Sequence, residues 1–250
     1  MTKLSALIVA RNEEARLPAC LAAIAFADEI VVVLDRTTDA SRAVAEKYGA
    51  RVIEGGWDVE GDRRNAGIAA CAGPWILEVD ADEIVPPELG AEIRAVVSNS
   101  TASRHLIPVD NYIGERLVRY GWGASFGKNA YPGLFRKGAK IWGRERVHPS
   151  LKFDGVEGAP LTARLIHHVD RNLSETIRRL DRYTSARAID LRAKGDPDPT
   201  SRYVRRFFSR FWKCFVARKG YREGGYGLVI AALAGLYPLV SHLKAKYEKE

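Results

Sequence analysis

The chain has 250 residues, with ordinary globular proportions of hydrophobic (46%) and charged (28%) residues, which excludes a disordered or fibrous chain. Its cysteines, Cys20, Cys71 and Cys214, are three and far apart, which excludes a disulfide framework or a CxxC-type zinc site and fits a reducing compartment. The net charge of +8 is uneven: residues 171–250 hold 18 Lys and Arg against 8 Asp and Glu, while the remainder is nearly neutral, so the tail is expected to meet something anionic.

Leu4 to Ala10 reads as a buried strand, followed by a helical spacing over 14–27 with Leu17, Leu21 and Ile24 on one face. Glu29-Ile-Val-Val-Val-Leu-Asp35 is a second strand, apolar enough to be covered on both faces. A short helix over 39–48, capped by Thr38 or Asp39 and stopped by Gly49, leads to a third strand, Arg51–Glu54. A helix over 62–72 stops at Gly73-Pro74, and Trp75-Ile-Leu-Glu-Val-Asp80 is the fourth strand. Pro86-Pro87 opens a helix to about Val97. This alternation predicts an α/β fold with a mostly parallel, Rossmann-like sheet and helices on both faces. Residues 104–170 look mixed, with Gly121–Gly143 mostly loop and short strands. From Asn172 and Glu175, a capping-box pair, the pattern turns helical, with Leu173, Ile177, Leu180, Thr184 and Leu191 on one face. Gly195 to Pro199 ends that helix. The expected organisation is a nucleotide-binding and catalytic domain over 1–170 and a helical, basic amphipathic extension over 171–250.

In open parallel sheets, ligands bind at the carboxyl ends of the strands. Three places therefore carry candidate chemistry. Asp80-Ala81-Asp82-Glu83 follows the fourth strand, and two carboxylates two residues apart can reach one small volume and hold Mg²⁺ or Mn²⁺. The same acids can instead favour the N-terminus of the next helix. Asp35 ends the second strand, where it can bind a ribose or a base edge, or close an Asx turn with Thr37 or Thr38. Arg11-Asn12-Glu13-Glu14, after the first strand, can read a nucleobase or simply begin a helix. Arg63-Arg64-Asn65 can pair with phosphate or face solvent.

The series Asn12-Glu13-Glu14, then Asp28-Glu-Ile-Val-Val-Val-Leu-Asp35 with Thr37-Thr38-Asp39, then Arg64-Asn65-Ala66, then Gly73-Pro-Trp-Ile-Leu-Glu-Val-Asp-Ala-Asp-Glu83 resembles the family 2 glycosyltransferases of the GT-A fold. Within them it is most similar to the lipopolysaccharide core β-glucosyltransferase subgroup. The resemblance is specific over 4–97. It is looser over 104–190, where Leu134-Phe135-Arg136-Lys137-Gly138, Val147-His148 and Ile166-His167-His168 echo the family, and faint at Gly225-Tyr226-Gly227.

The resemblance implies an inverting transferase with a nucleotide-sugar donor and a divalent metal, Mg²⁺ or Mn²⁺. Asn12, Glu13 and Asp35 would hold the nucleoside, Arg64 would face the diphosphate, and Asp80 and Asp82 are the DxD pair at ribose and metal. The acceptor would be a glycan or lipid-linked saccharide of the cell envelope or lipopolysaccharide. A family glutamate often follows Val-His; here Pro149 stands there instead. Glu145 is the first substitute as catalytic base, with His148 and Asp110 behind it. His167 and His168 read as packing or acceptor contacts. Two other classes stay open from sequence: a nucleotidyltransferase, and a nucleotide-sugar-binding protein without turnover, which the missing glutamate motivates.

Residues 203–216 carry two apolar rows at helical spacing, Tyr203/Phe207/Phe211/Phe215 and Val204/Phe208/Trp212/Val216, among seven nearby cations. That pattern describes an interfacial helix on an anionic membrane surface; the rival is packing against the protein. The longest apolar run, Leu228–Val240, is shorter than a membrane span, and the N-terminus lacks signal-peptide features. The expected location is cytoplasmic, peripheral on the inner face of the cytoplasmic membrane. No nucleic-acid-binding signature is present, so no nucleic-acid partner is expected.

Overall fold

Alternation decides how the first strand is used. In β1 (Leu4–Ala10), Leu4, Ala6, Ile8 and Ala10 point to one face of the sheet, and Leu7 and Val9 to the other. The computed structural model describes residues 4–123, 127–145, 149–195 and 198–248. In chain order come α1 (Leu17–Ala23), β2 (Glu29–Asp35), α2 (Ser41–Lys47), β3 (Arg51–Gly55), α3 (Glu60–Ala70), β4 (Trp75–Val79), β5 (Glu83–Ile84) and α4 (Pro87–Asn99). Then follow β6 (Arg104–Ile113), β7 (Arg116–Val118), β8 (Ala130–Arg136), β9 (Lys140–Trp142), β10 (Leu151–Phe153), β11 (Leu165–Asp170), α5 (Leu173–Lys194), α6 (Thr200–Trp212) and α7 (Gly225–Tyr247).

The chain divides into two units: residues 1–109 with 130–167, and residues 110–129 with 168–250. The second begins at His168, near the expected boundary at 170. It also takes in 110–129, which the sequence assigned to the first domain. The reason is apolar: Ile113, Val118 and Trp122 belong to the same core as the C-terminal helices.

The first unit is a sheet of order β3-β2-β1-β4-β8-β6-β11-β5. β1 pairs in parallel with β2 and β4, and β2 with β3; β8 then runs antiparallel to β4 and β6. Leu17, Leu21, Leu89 and Ile93 cover one face, Ile68 and Cys71 the other. α3 lies close because Gly67 has no side chain; a Cβ there would sit 2.6 Å from Leu7 Cδ1. The strand order reverses direction between β1 and β4, so the carboxyl ends of β1, β2 and β4 open together at a topological switch point.

In the second unit α7 packs against α5 and α6. Asn172 caps α5: its Oδ1 accepts from the Glu175 N–H at 3.0 Å, and the Glu175 carboxylate turns back to the Arg171 N–H. The buried stripe of α5 is Thr176, Leu180, Thr184, Ala188 and Leu191. Ile177, expected on that face, is instead exposed, because the stripe runs one position earlier. The apolar run of α7 is also longer than its sequence suggests. The helix continues through Gly235 and Pro238 for 23 residues, and is long and apolar enough to cross a membrane, though 56% of that window is buried in the protein. Gly235 faces Phe207, where a Cβ would lie 2.8 Å from the Phe207 carbonyl oxygen.

Candidate active site

Three strand ends supply the site in the first unit. After β1, Asn12 takes a left-handed backbone (φ +56), a conformation Asn tolerates better than most residues. Its Oδ1 accepts from the Thr38 N–H at 2.8 Å, while the Glu13 N–H donates to Ser41 Oγ at 2.9 Å. These bonds fasten the β1 end to the loop after β2. Burial pushes the Glu13 carboxyl above its ordinary range; Arg16, 3.5 Å away, opposes that, and the negative charge of Asp82 adds to it. β1 and β4 are neighbouring parallel strands, so their carboxyl ends open into one region.

At the end of β2, Asp35 is buried. Its carboxylate accepts from the Trp57 N–H at 3.0 Å and from Arg63 at 3.3 Å. The Asx turn with Thr37 or Thr38 is replaced by these longer-range partners, because the loop from β3 into α3 folds over the strand end.

At the end of β4, Asp80 Oδ1 accepts from Arg64 Nη2 at 3.1 Å, and the Asp80 N–H donates to Glu83 Oε2 at 2.9 Å. Asp82 lies beside His167 of β11, with Oδ2 and Nε2 3.6 Å apart. β11 reaches this place by pairing with β5, where His167 stands opposite Glu83. The tight turn from Asp80 to Glu83, closed by the Glu83 N–H to the Asp80 carbonyl at 3.0 Å, sends the Asp80 and Asp82 side chains to separate partners.

Beneath them is a buried charge network. Arg64, on α3, donates to Glu60 at 2.9 Å, Glu78 at 2.6 Å and Asp80, and its guanidinium lies 4.7 Å from the Trp142 ring centroid. Lys140, on β9, is 2% exposed and donates to Glu78 Oε2 at 2.7 Å and to the Pro132 carbonyl at 3.1 Å. Burial raises the Glu78 carboxyl, but Lys140 and Arg64 outweigh it, so the group is held below its ordinary range. Tyr131 donates from its hydroxyl to the Glu78 carbonyl at 2.9 Å; burial and the neighbouring acids push that phenol well above its usual range. Arg64 is therefore not an open cation waiting for phosphate. It is fixed by three carboxylates, with Asp80 the outermost, at 32% side-chain exposure.

The structure thus gathers Glu13, Arg64, Asp80 and Asp82, with Asp35 at the neighbouring strand end. Glu145 is exposed and accepts from Ser150 N–H at 3.0 Å and Ser150 Oγ at 3.2 Å. Its neighbour Arg144 pairs with Asp62 at 3.0 Å rather than with Glu145. His148 lies outside the described residues. Asp110 belongs to the second unit, where it is 3.7 Å from Arg119. Sequence reading missed Lys140, Glu78 and the pairing of His167 with Asp82. A signal for Glu78 existed: an acid inside the otherwise apolar run of β4 demands a buried partner. Nothing marked Lys140 as that partner, since it sits 62 residues away in a glycine-rich stretch.

Among the described residues, no group of three or more His, Cys, Asp and Glu side chains stands ready to hold a metal ion. The carboxylate oxygens of Asp80 and Asp82 are the donor type that suits Mg²⁺ or Mn²⁺ when a ligand completes the coordination.

Residues 5–122 match the family model described as Glycosyl transferase family 2. An uncharacterized glycosyltransferase of Rickettsia felis is 26% identical over 245 residues, covering 92% of this chain and 84% of that protein. The lipopolysaccharide core biosynthesis glycosyltransferase LpsC of Rhizobium meliloti is 24% identical over 270 residues, covering 97% and 94%. The crystal structure of S. aureus TarS 1–349 in complex with UDP superposes with a TM-score of 0.51 at 14% identity, covering 99% of this chain and 92% of that one, a likeness of fold. Strand-end acids on a parallel-rich sheet agree with these similarities: residues 5–122, just under half of the chain, match the family 2 glycosyltransferases, on a GT-A-like fold.

Proposed function

We propose that the protein is an inverting glycosyltransferase that moves a sugar from a nucleotide-sugar donor to a glycan or lipid-linked saccharide, in building cell-envelope polysaccharide or lipopolysaccharide. The observation that carries this reading is the placement of Asp80 and Asp82 at the β4 end of the switch point, with Arg64 beside the first and His167 beside the second. The UDP in the TarS complex and the place of LpsC in lipopolysaccharide core biosynthesis support the donor and acceptor classes. A lipid-linked acceptor goes with a cytoplasmic, peripheral position on the inner face of the membrane.

In this reading Asn12, Glu13 and Asp35 bind the nucleoside, and Arg64 lies toward the diphosphate. Asp80 and Asp82 would hold Mg²⁺ or Mn²⁺, with His167 beside Asp82. When bound, the metal offsets the negative charge that builds on the departing nucleoside diphosphate. Arg64 adds fixed positive charge there without reorganising, because Glu60 and Glu78 already orient it. Glu145 takes the proton of the acceptor hydroxyl as that oxygen bonds to the anomeric carbon and the bond to the diphosphate oxygen breaks on the opposite side. Its hydrogen bonds from Ser150 fix the carboxylate's direction.

The test is a thermal-shift panel of nucleoside diphosphates and sugar nucleotides with and without Mn²⁺. A ligand at 100 times its Kd stabilises by about 2.7 kcal/mol. The expected result is a metal-dependent shift that disappears in Asp82→Asn, with a nucleoside diphosphate, not pyrophosphate, released on turnover. An equal shift in Asp82→Asn would refute the metal role. Pyrophosphate release would point to nucleotidyl transfer, and donor binding without product on any acceptor would leave a binding protein.

A further inference from the structure

The two apolar rows of α6 have different fates. Tyr203 is 3% exposed and stacks on His242 of α7, with ring centroids 4.1 Å apart, and Phe207 approaches Gly235. That row belongs to the interior of the second unit. The other row stays outside: Val204 is 40% exposed, Phe208 64% and Trp212 64%. Tyr221 and Leu228, later in the same unit, are exposed as well. Water-facing phenylalanine and tryptophan one turn apart form a continuous apolar strip, which is costly unless something covers it.

Charge says what covers it. From Thr200 to Arg222 the chain holds eight Lys and Arg and no Asp or Glu. At 100° per residue Arg205 lies 20° beyond Trp212 and borders the strip, with Arg202 a further 60° round. Arg205, Lys213 and Lys219 are exposed. Two copies of so basic a surface repel each other, whereas anionic headgroups complement it. A tryptophan and a phenylalanine beside arginines and lysines suit the depth where headgroups meet acyl chains. The rival anchor is α7, but Ile230, Ala231, Leu233, Ala234 and Tyr237 form the core with Leu180 and Trp122, so inserting α7 would dismantle that core.

We infer that the outer face of α6, Val204–Phe208–Trp212 with Arg205, docks on an anionic lipid bilayer while α7 stays within the protein. The inference deepens the peripheral placement of the proposed function by naming the face and the lipid charge.

The experiment is co-sedimentation of the full chain with phosphatidylglycerol-containing vesicles and with vesicles of phosphatidylcholine alone. The inference requires at least tenfold stronger binding to the anionic vesicles. It also requires a tenfold or greater loss in Phe208→Ser/Trp212→Ser, and a loss of about fivefold in Arg205→Gln. The far-ultraviolet spectrum and melting of these variants should match the parent, since every changed side chain is exposed. Undiminished vesicle binding by the double variant overturns the inference, as does a parent protein that stays in the supernatant. A parent dimer that the double variant converts to monomer overturns it too, by making the strip a self-association face. Vesicle binding as stated, with no nucleotide-dependent thermal shift in any protein, would sink the transferase reading and leave the docking face standing.

Discussion

In the first unit, Lys140 and Arg64 are buried against Glu78, each within hydrogen-bond distance of it. In the second, Arg205, Lys213 and Lys219 stand in solvent beside Phe208 and Trp212. Both regions use positive charge, yet to opposite ends. A buried cation is held in one place by carboxylates. An exposed cation on a helix surface is mobile and screened, and acts only in numbers, on a broad partner. The contrast shows that the same residue types can stand in opposite environments within one chain.

The largest test of the first region is at the proposed base. Glu145→Gln should lower kcat by about 10²- to 10⁴-fold while leaving the nucleotide-dependent thermal shift unchanged. A loss of donor binding instead would move Glu145 from the acceptor side to the donor side. The comparison itself is tested by removing one cation from each region. Lys140→Met should cost about 3–5 kcal/mol in denaturant unfolding, because it deprives buried Glu78 of one of its two cationic partners. Arg205→Met, at an exposed position, should stay within about 0.5 kcal/mol. Similar costs for both would break the distinction drawn between them.

The buried network also predicts a pH dependence. The folded-state value of Glu78 is depressed, so its contribution to stability is full above the ordinary glutamate value of about 4.3 and is lost as pH falls through the lower, folded value. Glu78→Gln should therefore flatten the acid limb of stability below about pH 4.3, measured as unfolding free energy against pH. A further effect is expected in the second unit. Gly235→Val should destabilise by about 1–3 kcal/mol, as the new side chain forces α6 and α7 apart at Phe207. No change there would mean that the helices separate without strain.

Much of the first unit was legible beforehand. Strand periodicity placed β1, β2 and β4 to within a residue or so, since continuous apolar runs bounded by charge leave few alternatives. Helix ends were less legible: α1 covers only Leu17–Ala23 of the expected 14–27, because Glu13 and Glu14 are drawn into hydrogen bonds with the α2 loop. The acids at the strand ends were legible as a set, because the parallel topology implied by the alternation brings those ends together. Their partners were not. Arg64 appeared as a free phosphate-facing cation, and the structure ties it to Glu60, Glu78 and Asp80.

The amino-acid order alone determined the element types, the parallel half of the sheet and the chain positions of Asp35, Asp80 and Asp82, since these follow from local periodicity and from where apolar runs stop. Tertiary structure decided which charge meets which: that Lys140 neutralises Glu78, that His167 stands by Asp82, and that one aromatic row of α6 is buried while the other faces out. Such pairings join residues tens of positions apart, and their energies depend on burial and distance, quantities that exist only once the chain has closed on itself.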